Sequence, residues 1–230
     1  MQPSIPIPPQ PDDFYSKQKT LFRDVLCNTE EERDSLSNLM DLWDSIPKYT
    51  ISRQQQEKWH KEGNFPPLYE IYFHYRGKNL KVEIQPAAIC LKDGSVKSYY
   101  PSANEELIED VLRKFATEQN NGYFNVSEKR SGVVFTLYML RQELAKRGHS
   151  RNYNEIDLSL QIMGRSVITT TMAEGDEGEF SSNSLYLNNL FRASKTTLSK
   201  DQDAKCFADF HPFATRSLDA LRKPSGLMEA

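Results

Sequence analysis

The stretch Arg141-Gln142-Glu143-Leu144-Ala145-Lys146-Arg147-Gly148-His149-Ser150-Arg151-Asn152-Tyr153-Asn154-Glu155-Ile156 reads as the end of one helix, a basic turn and the start of another. Upstream of it, Val133, Leu137, Leu140 and Leu144 form one apolar stripe and leave Arg141, Gln142, Lys146 and Arg147 to solvent. That spacing predicts a helix over Val133 to Arg147. Gly148 stands where a helix C-terminus favours a left-handed residue, and Gly148 to Asn152 makes the turn. Downstream, Ile156, Leu160 and Met163 share a face and predict a helix from Tyr153 to Gly164.

The neighbouring segments extend this pattern. Ser102-Ala103-Asn104-Glu105 has the form of a capping box, and Leu107, Ile108, Val111, Leu112 and Phe115 follow at helical spacing until Asn120-Asn121-Gly122 stops them. After the last helix, Ser166-Val167-Ile168-Thr169-Thr170-Thr171 is a β-branched strand, and Glu174-Gly175-Asp176-Glu177-Gly178 is a flexible acidic tip. Leu185-Tyr186-Leu187 and Cys206-Phe207-Ala208-Asp209-Phe210 supply return strands. Helix, helix, basic turn, helix, strands is the order of a winged helix. The expected fold class is therefore α+β: three helices plus a β-hairpin wing, with an additional N-terminal β-hairpin and a helical arm.

The clearest hairpin lies before these helices. Ile71, Phe73 and Tyr75 alternate with Tyr72 and His74, Arg76-Gly77-Lys78-Asn79 turns the chain, and Leu80, Val82 and Ile84 alternate with Lys81, Glu83 and Gln85. Alternation on both arms implies one buried and one wet face. Pro86 ends the pairing because it has no N–H to donate. Earlier still, five of the 12 prolines fall in Pro3 to Pro11, which favours extended polyproline conformations without a core pattern. Residues 14 to 43 are helical in character, and Arg53 to Lys61 is a polar link. The expected organisation is a disordered Pro-rich tail at 1–13, a helical arm and linker at 14–61, a winged-helix domain with its added hairpin at 62–219, and a C-terminal tail at 220–230.

Composition narrows the function classes. A chain of 230 residues, 38% hydrophobic and 27% charged, can bury one good core. No run approaches the roughly 18 apolar residues of a membrane span, and the N-terminus lacks a signal peptide's pattern. Cys27, Cys90 and Cys206 are far apart and odd in number, so neither a disulfide framework nor a zinc cluster is indicated and a reduced cytoplasmic setting is expected. There is no Gly-rich phosphate loop, no Cys-x-x-Cys and no His-Glu-x-x-His. His60, His74, His149 and His211 are isolated; His74 reads as a structural strand residue and His211, before Pro212, as packed. The expectation is a protein without catalytic residues, cofactor or metal.

Binding is better supported. The net charge of −3 is wrong for a surface that grips nucleic acid everywhere, so contact must come from a local patch. Between Glu128 and Arg165 seven cations (Lys129, Arg130, Arg141, Lys146, Arg147, Arg151, Arg165) face four anions (Glu128, Glu143, Glu155, Asp157), a local balance of +3. Lys129, Arg130, Lys146, Arg147 and Arg151 are the candidate phosphate contacts, through counterion release. If Ile156, Leu160 and Met163 point inward, the 100° step puts Asn154, Leu158, Gln161 and Arg165 opposite. Asn154, Gln161 and Arg165 are the candidate base-edge contacts, being of the residue types that pair with bases in a major groove. Glu155 and Asp157 flank that face and would repel phosphates, while an exposed Leu158 suits a protein partner, as in a homodimer.

Leu42-Trp43-Asp44-Ser45-Ile46-Pro47-Lys48-Tyr49 with Ser52-Arg53-Gln54, then Tyr100-Pro101-Ser102-Ala103-Asn104-Glu105-Glu106-Leu107, Arg130-Ser131-Gly132-Val133-Val134-Phe135-Thr136-Leu137 and Phe210-His211-Pro212 together resemble the RepA-type replication initiators of bacterial plasmids. The likeness spans roughly residues 41 to 219. It implies theta-type replication, tandem winged helices, binding to repeated sites of a double-stranded plasmid origin, host replication proteins as partners, and a first winged helix that also dimerises in copy control. Such initiators continue past the Phe-His-Pro segment into a second winged helix, whereas this sequence ends at Ala230 after a stretch with no core pattern. The resemblance is therefore to the first module. Two alternatives stay open: a winged-helix transcriptional repressor of one operator, and a protein-interaction or dimerisation module without specific DNA binding of its own.

Overall fold

In a computed structural model the described residues are 40–75, 77–91, 93–117, 121–125, 130–173, 179–192 and 204–214. The expected Pro-rich tail, residues 14–39 of the arm, the acidic tip at 174–178 and the C-terminal tail lie outside them.

The chain enters through α1 (Met40–Ser45) and α2 (Arg53–Glu62). The segment read as a polar link is thus a helix. Ser52 caps it, with Gln55 N–H donating to Ser52 Oγ at 3.1 Å. Its apolar signal is weak because its buried position is Gln56, whose amide donates to Ile51 O (3.3 Å) and Tyr100 O (3.0 Å) and accepts from Tyr100 N (2.9 Å). A buried polar side chain with its hydrogen bonds made does the work of a hydrophobe here.

Strands β1 (Tyr69–Tyr75) and β2 (Lys78–Gln85) form the expected hairpin, with Tyr75 opposite Lys78 and Ile71 opposite Val82. Leu80, Val82 and Ile84 are buried, whereas Tyr72 and His74 face solvent. A second hairpin, β3 (Ala87–Cys90) with β4 (Val96–Tyr99), follows at once. Its four-residue strands are too short to show a distinctive period in sequence.

Helix α3 (Ala103–Thr117) starts at Ser102, whose N–H and Oγ both donate to Glu105 Oε2 at 2.8 and 2.7 Å. Strands β5 (Gly122–Asn125) and β6 (Arg130–Phe135) come next, then α4 (Leu137–Lys146) and α5 (Tyr153–Met163). Val133 is in β6, not in the helix, which begins only after Thr136 takes Met139 N–H at 3.0 Å. The β-branched pair Val133-Val134 is satisfied by strand pairing with β5 and with the strand Cys206–Phe210, and its burial mimics a helical stripe in sequence. Leu140, Leu144, Ile156, Leu160 and Met163 are essentially fully buried where α3, α4 and α5 meet, each worth about 1.5–3 kcal/mol.

Two antiparallel four-stranded sheets complete the α+β fold. One has the order β1-β2-β7-β8, with β7 (Val167–Ala173) and β8 (Glu179–Leu185). The hairpin expected as a wing is therefore no free-standing ribbon: β7 pairs along β2, with Ile84 opposite Ile168. The other sheet has the order β5-β6-β10-β9, with β9 (Leu187–Phe191) and β10 (Cys206–Phe210). The single return strand expected at Leu185 to Leu187 breaks between β8 and β9. Tyr186 turns inward there, 2% exposed, and its hydroxyl donates to Lys48 O at 3.1 Å.

A buried polar knot fastens the N-terminal segment to the helices. Trp43 Nε1 and Tyr49 Oη both donate to Glu109 of α3, and Lys48 Nζ donates to Trp43 O at 2.6 Å. His211 stacks on Trp43 with ring centroids 4.3 Å apart. Burial lowers the Lys48 ammonium below its ordinary range and, with Glu109, raises the Tyr49 phenol. Burial and Lys48 push His211 down to about 3. Leu42, Trp43, Ile46 and Ile51 belong to the same core cluster as the helices and both sheets.

Candidate nucleic-acid interface

The pairing of α4 with α5 decides what the basic turn can present. With Leu137, Leu140 and Leu144 inward, Tyr138, Arg141, Gln142 and Lys146 face out. Gly148 takes φ 81°, a left-handed conformation natural to glycine. The turn closes with Gly148 N–H on Ala145 O (3.0 Å) and His149 N–H on Leu144 O (2.9 Å). Asn152 then caps α5 in a capping box, with Glu155 N–H on Asn152 Oδ1 (3.0 Å) and Asn152 N–H on Glu155 Oε2 (2.8 Å).

The result is an open depression of about 420 Å³ lined by Arg141, Gln142, Ala145, Ser150, Arg151 and Asn152. The Arg141 guanidinium lies over the Tyr153 ring at 5.1 Å. Arg151 donates to Asn104 Oδ1 (2.8 Å) and Ser150 O (3.0 Å), neutral partners that orient its charge without cancelling it.

The acidic neighbours are engaged by the protein itself. Glu143 accepts from Lys114 (2.6 Å) and Arg147 Nε (3.3 Å), with Lys146 Nζ at 3.8 Å. The hydrogen bond from Lys114, with help from Arg147, holds its carboxyl below the usual range. Glu155 is occupied in the capping box, and Asp157 accepts from Arg192 and from Gln161 (2.9 Å). Asp157 is thus met by a cation of the protein, whereas Glu155, exposed and held by a neutral N–H, keeps its charge beside the turn; the Lys146 side chain is 73% exposed.

Of the candidate phosphate contacts, Lys146, Arg147 and Arg151 come together around this turn. Lys129 lies outside the described residues. Arg130 is elsewhere: it begins β6, about 17 Å along the strand from Phe135, and its guanidinium is paired with buried Asp209.

The base-edge candidates are not presented as one face. Asn154 is exposed in the first turn of α5, Gln161 is half-buried on Asp157, and Arg165 Nη1 donates to Ala88 O at 3.2 Å. Leu158 is not exposed as expected. It packs with Tyr99 against Ala87, Ile89 and Ile162, because β3 lies along α5. The missed β3–β4 hairpin therefore covers the helix face that sequence periodicity left open. Asp93-Gly94 between two short alternating runs was the signal for it. Tyr138, Arg141 and Tyr153 also belong to the exposed face around the turn, at 44% and 37% exposure for the two tyrosines.

Among the described residues no helix is long and apolar enough to cross a membrane, and no group of three potential metal ligands occurs. No protein-family model matches the chain, and no curated protein matches it. Two solved structures are similar in shape. One is a selenomethionine crystal structure of domains 2 and 3 of RctB, 10% identical with a TM-score of 0.48, covering 83% of this chain and 64% of that one. The other is RctB domains 2–3, residues 155–483, 9% identical with a TM-score of 0.44, covering 66% and 53%. At these scores neither likeness bears on what this chain does.

Proposed function

We propose that this chain is a DNA-binding replication initiator of the RepA-like kind, acting on a plasmid origin and in copy control, and catalysing no reaction. Its α3, α4 and α5 with the β7–β8 hairpin serve as a winged helix that also dimerises. The observation that carries this reading is the turn between α4 and α5. Arg141, Lys146, Arg147 and Arg151 gather there while Glu143 and Asp157 are paired with cations of the protein, which leaves Glu155 as the exposed carboxylate beside them. Phosphates are the natural ligands of such a surface. With only the first turn of α5 open, contact is mainly to the backbone, and Asn154 is the remaining base-edge candidate.

The segments that carry the resemblance to the initiators lend support because they meet in space. Trp43, Lys48 and Tyr49 join His211, and Arg53 Nη2 reaches Glu105 at 2.6 Å.

The test is titration into labelled origin DNA and scrambled DNA of equal length at two salt concentrations, with the mass in solution taken alongside. Origin-selective, salt-sensitive binding supports the reading, and protection at a single operator in place of origin repeats would make the protein a repressor. The net charge of −3 favours a second reading, a dimeric interaction module whose contact is not Leu158, which β3 covers. A stable dimer with no DNA affinity at low salt would establish that reading.

A further inference from the structure

The outward face of the β5-β6-β10-β9 sheet carries aromatic rings that take no part in the turn described above. Register places Tyr123 opposite Gly132, and Phe207 opposite both Val134 and Phe191. A Cβ on Gly132 would fall 2.3 Å from Tyr123 Cε1, so the bare glycine lets that ring lie across the strand toward Phe207. The Tyr123 and Phe207 rings stack with centroids 5.3 Å apart and planes inclined by 30°, and Phe191 follows at 6.0 Å. Phe191, at the end of the row, is 66% exposed.

The row has a built frame. Between Phe207 and Asp209 the register with β9 shifts, and Asn189 there has φ 43°, a left-handed conformation that asparagine tolerates. Its amide donates to Asp209 Oδ2 at 2.7 Å. Asp209 also accepts from Tyr123 Oη and Arg130, so the carboxylate beneath the row is buried and paired. Arg130, two residues before Gly132, has a side chain 44% exposed, and Lys205, two before Phe207, is exposed. By strand alternation Arg130 lies on the ring face, and Lys205 stands just before β10 begins.

We propose that this face is a second binding surface, distinct from the α4–α5 turn, that takes single-stranded nucleic acid. Unpaired bases stack on Phe191, the open ring at the end of the row, and Lys205 meets the phosphates beside the Arg130–Asp209 pair. A duplex keeps its base faces to itself, whereas an unpaired strand offers one π-face per base to whichever aromatic ring is open. With Arg130 and Asp209 paired, the exposed Lys205 is the charge that complements a polyanion. Among the described residues the surface holds no side-chain array that would read sequence, so binding is expected to be sequence-tolerant.

The experiment uses the full chain with labelled oligo-dT and oligo-rU of about 15 nucleotides, within the span such folds cover. Phe191→Ala is expected to weaken strand binding about ten-fold. Phe191→Trp should keep it, with the introduced indole quenched on binding. Lys205→Ala should flatten the salt slope by about 0.7. Duplex binding at the turn should be unchanged in Phe191→Ala and reduced by Arg147→Ala with Arg151→Ala, which separates this proposal from the initiator reading. Equal binding of both strands, or preference for either, supports the surface and says which acid it serves. No strand binding by the parent chain, or parental affinity in Phe191→Ala, overturns it. So does a loss confined to self-association in that variant.

Discussion

Glu109 and Glu143 sit on neighbouring helices, and their partners could hardly differ more. Glu109 of α3 is 5% exposed and accepts from two neutral donors, Trp43 Nε1 and Tyr49 Oη. Glu143 of α4, 8% exposed, is ringed by Lys114, Arg147 and Lys146. The first carboxylate joins segments that are distant in sequence: α1, α3 and, through the Trp43–His211 stack, the residues after β10. The second draws negative charge away from a face and leaves cations in surplus there. One residue type thus serves architecture at one site and electrostatic display at the other. What decides is whether the donors bring charge with them.

The strongest attack on that contrast is at the architectural end. Trp43→Ala removes a fully buried indole, its stack with His211 and a donor to Glu109. Unfolding free energy should fall by about 3–5 kcal/mol, read as a lower urea midpoint. Any accompanying loss of DNA binding should track the unfolded fraction alone. A folded Trp43→Ala protein with specifically impaired binding would place the knot in the interface and erase the distinction.

Acid probes the same knot more gently. His211 is neutral and buried, with Phe213 N–H donating to its Nδ1 at 3.1 Å, and its pKa drops from 6.5 to about 3. In that window the unfolded chain binds a proton that the folded chain refuses. The stability contributed is complete above about 6.5 and is lost as pH falls, by at most about 1.4 kcal/mol per pH unit. His211→Asn should flatten the acid limb of a stability–pH curve between about 6 and 4. An unchanged limb would mean other groups dominate it.

The same contrast explains what was legible in the sequence. Regular period carried α3, α5 and the β1–β2 hairpin, since Leu80, Val82 and Ile84 have no other way to be buried together. Short elements failed: β3, β4 and β5 are each of four residues, below the length at which period is distinctive. Helix α2 failed because its inward residue is Gln56. At the site, clustering of Lys146, Arg147 and Arg151 followed from their nearness in sequence. The covering of Leu158 by β3 and the pairing of Arg130 with Asp209 did not, because each depends on a partner more than sixty residues away.

At the display end the expected effects are smaller in stability and larger in binding. Arg147→Ala combined with Arg151→Ala should leave the urea midpoint within about 0.5 kcal/mol of the parent, as exposed charges contribute little. The same variant should bind all DNA sequences more weakly, and its slope of log affinity against log salt should flatten by about 2. A preserved slope would remove both side chains from the interface. A large stability loss would make Arg151, through Asn104 of α3, part of the architecture after all.

The finest test is Glu143→Gln, which keeps the shape and deletes the charge. Because Lys114 and Arg147 hold this carboxyl below its ordinary pKa, it stabilises the fold above about 4.5 and ceases to as pH falls through its depressed range. At neutral pH the variant should lose under about 1 kcal/mol, the usual worth of ion pairs near solvent. Its DNA affinity at low salt should rise about two- to three-fold, since one negative charge leaves the face and Arg147 and Lys146 are released toward phosphates. Acid should do to the parent what the substitution does: the difference in affinity should shrink as pH falls into the range where Glu143 itself takes up a proton. If the variant binds DNA no more tightly at any salt, then Glu143 only fastens α4 to α3 through Lys114, and the division between an architectural and a displaying carboxylate fails.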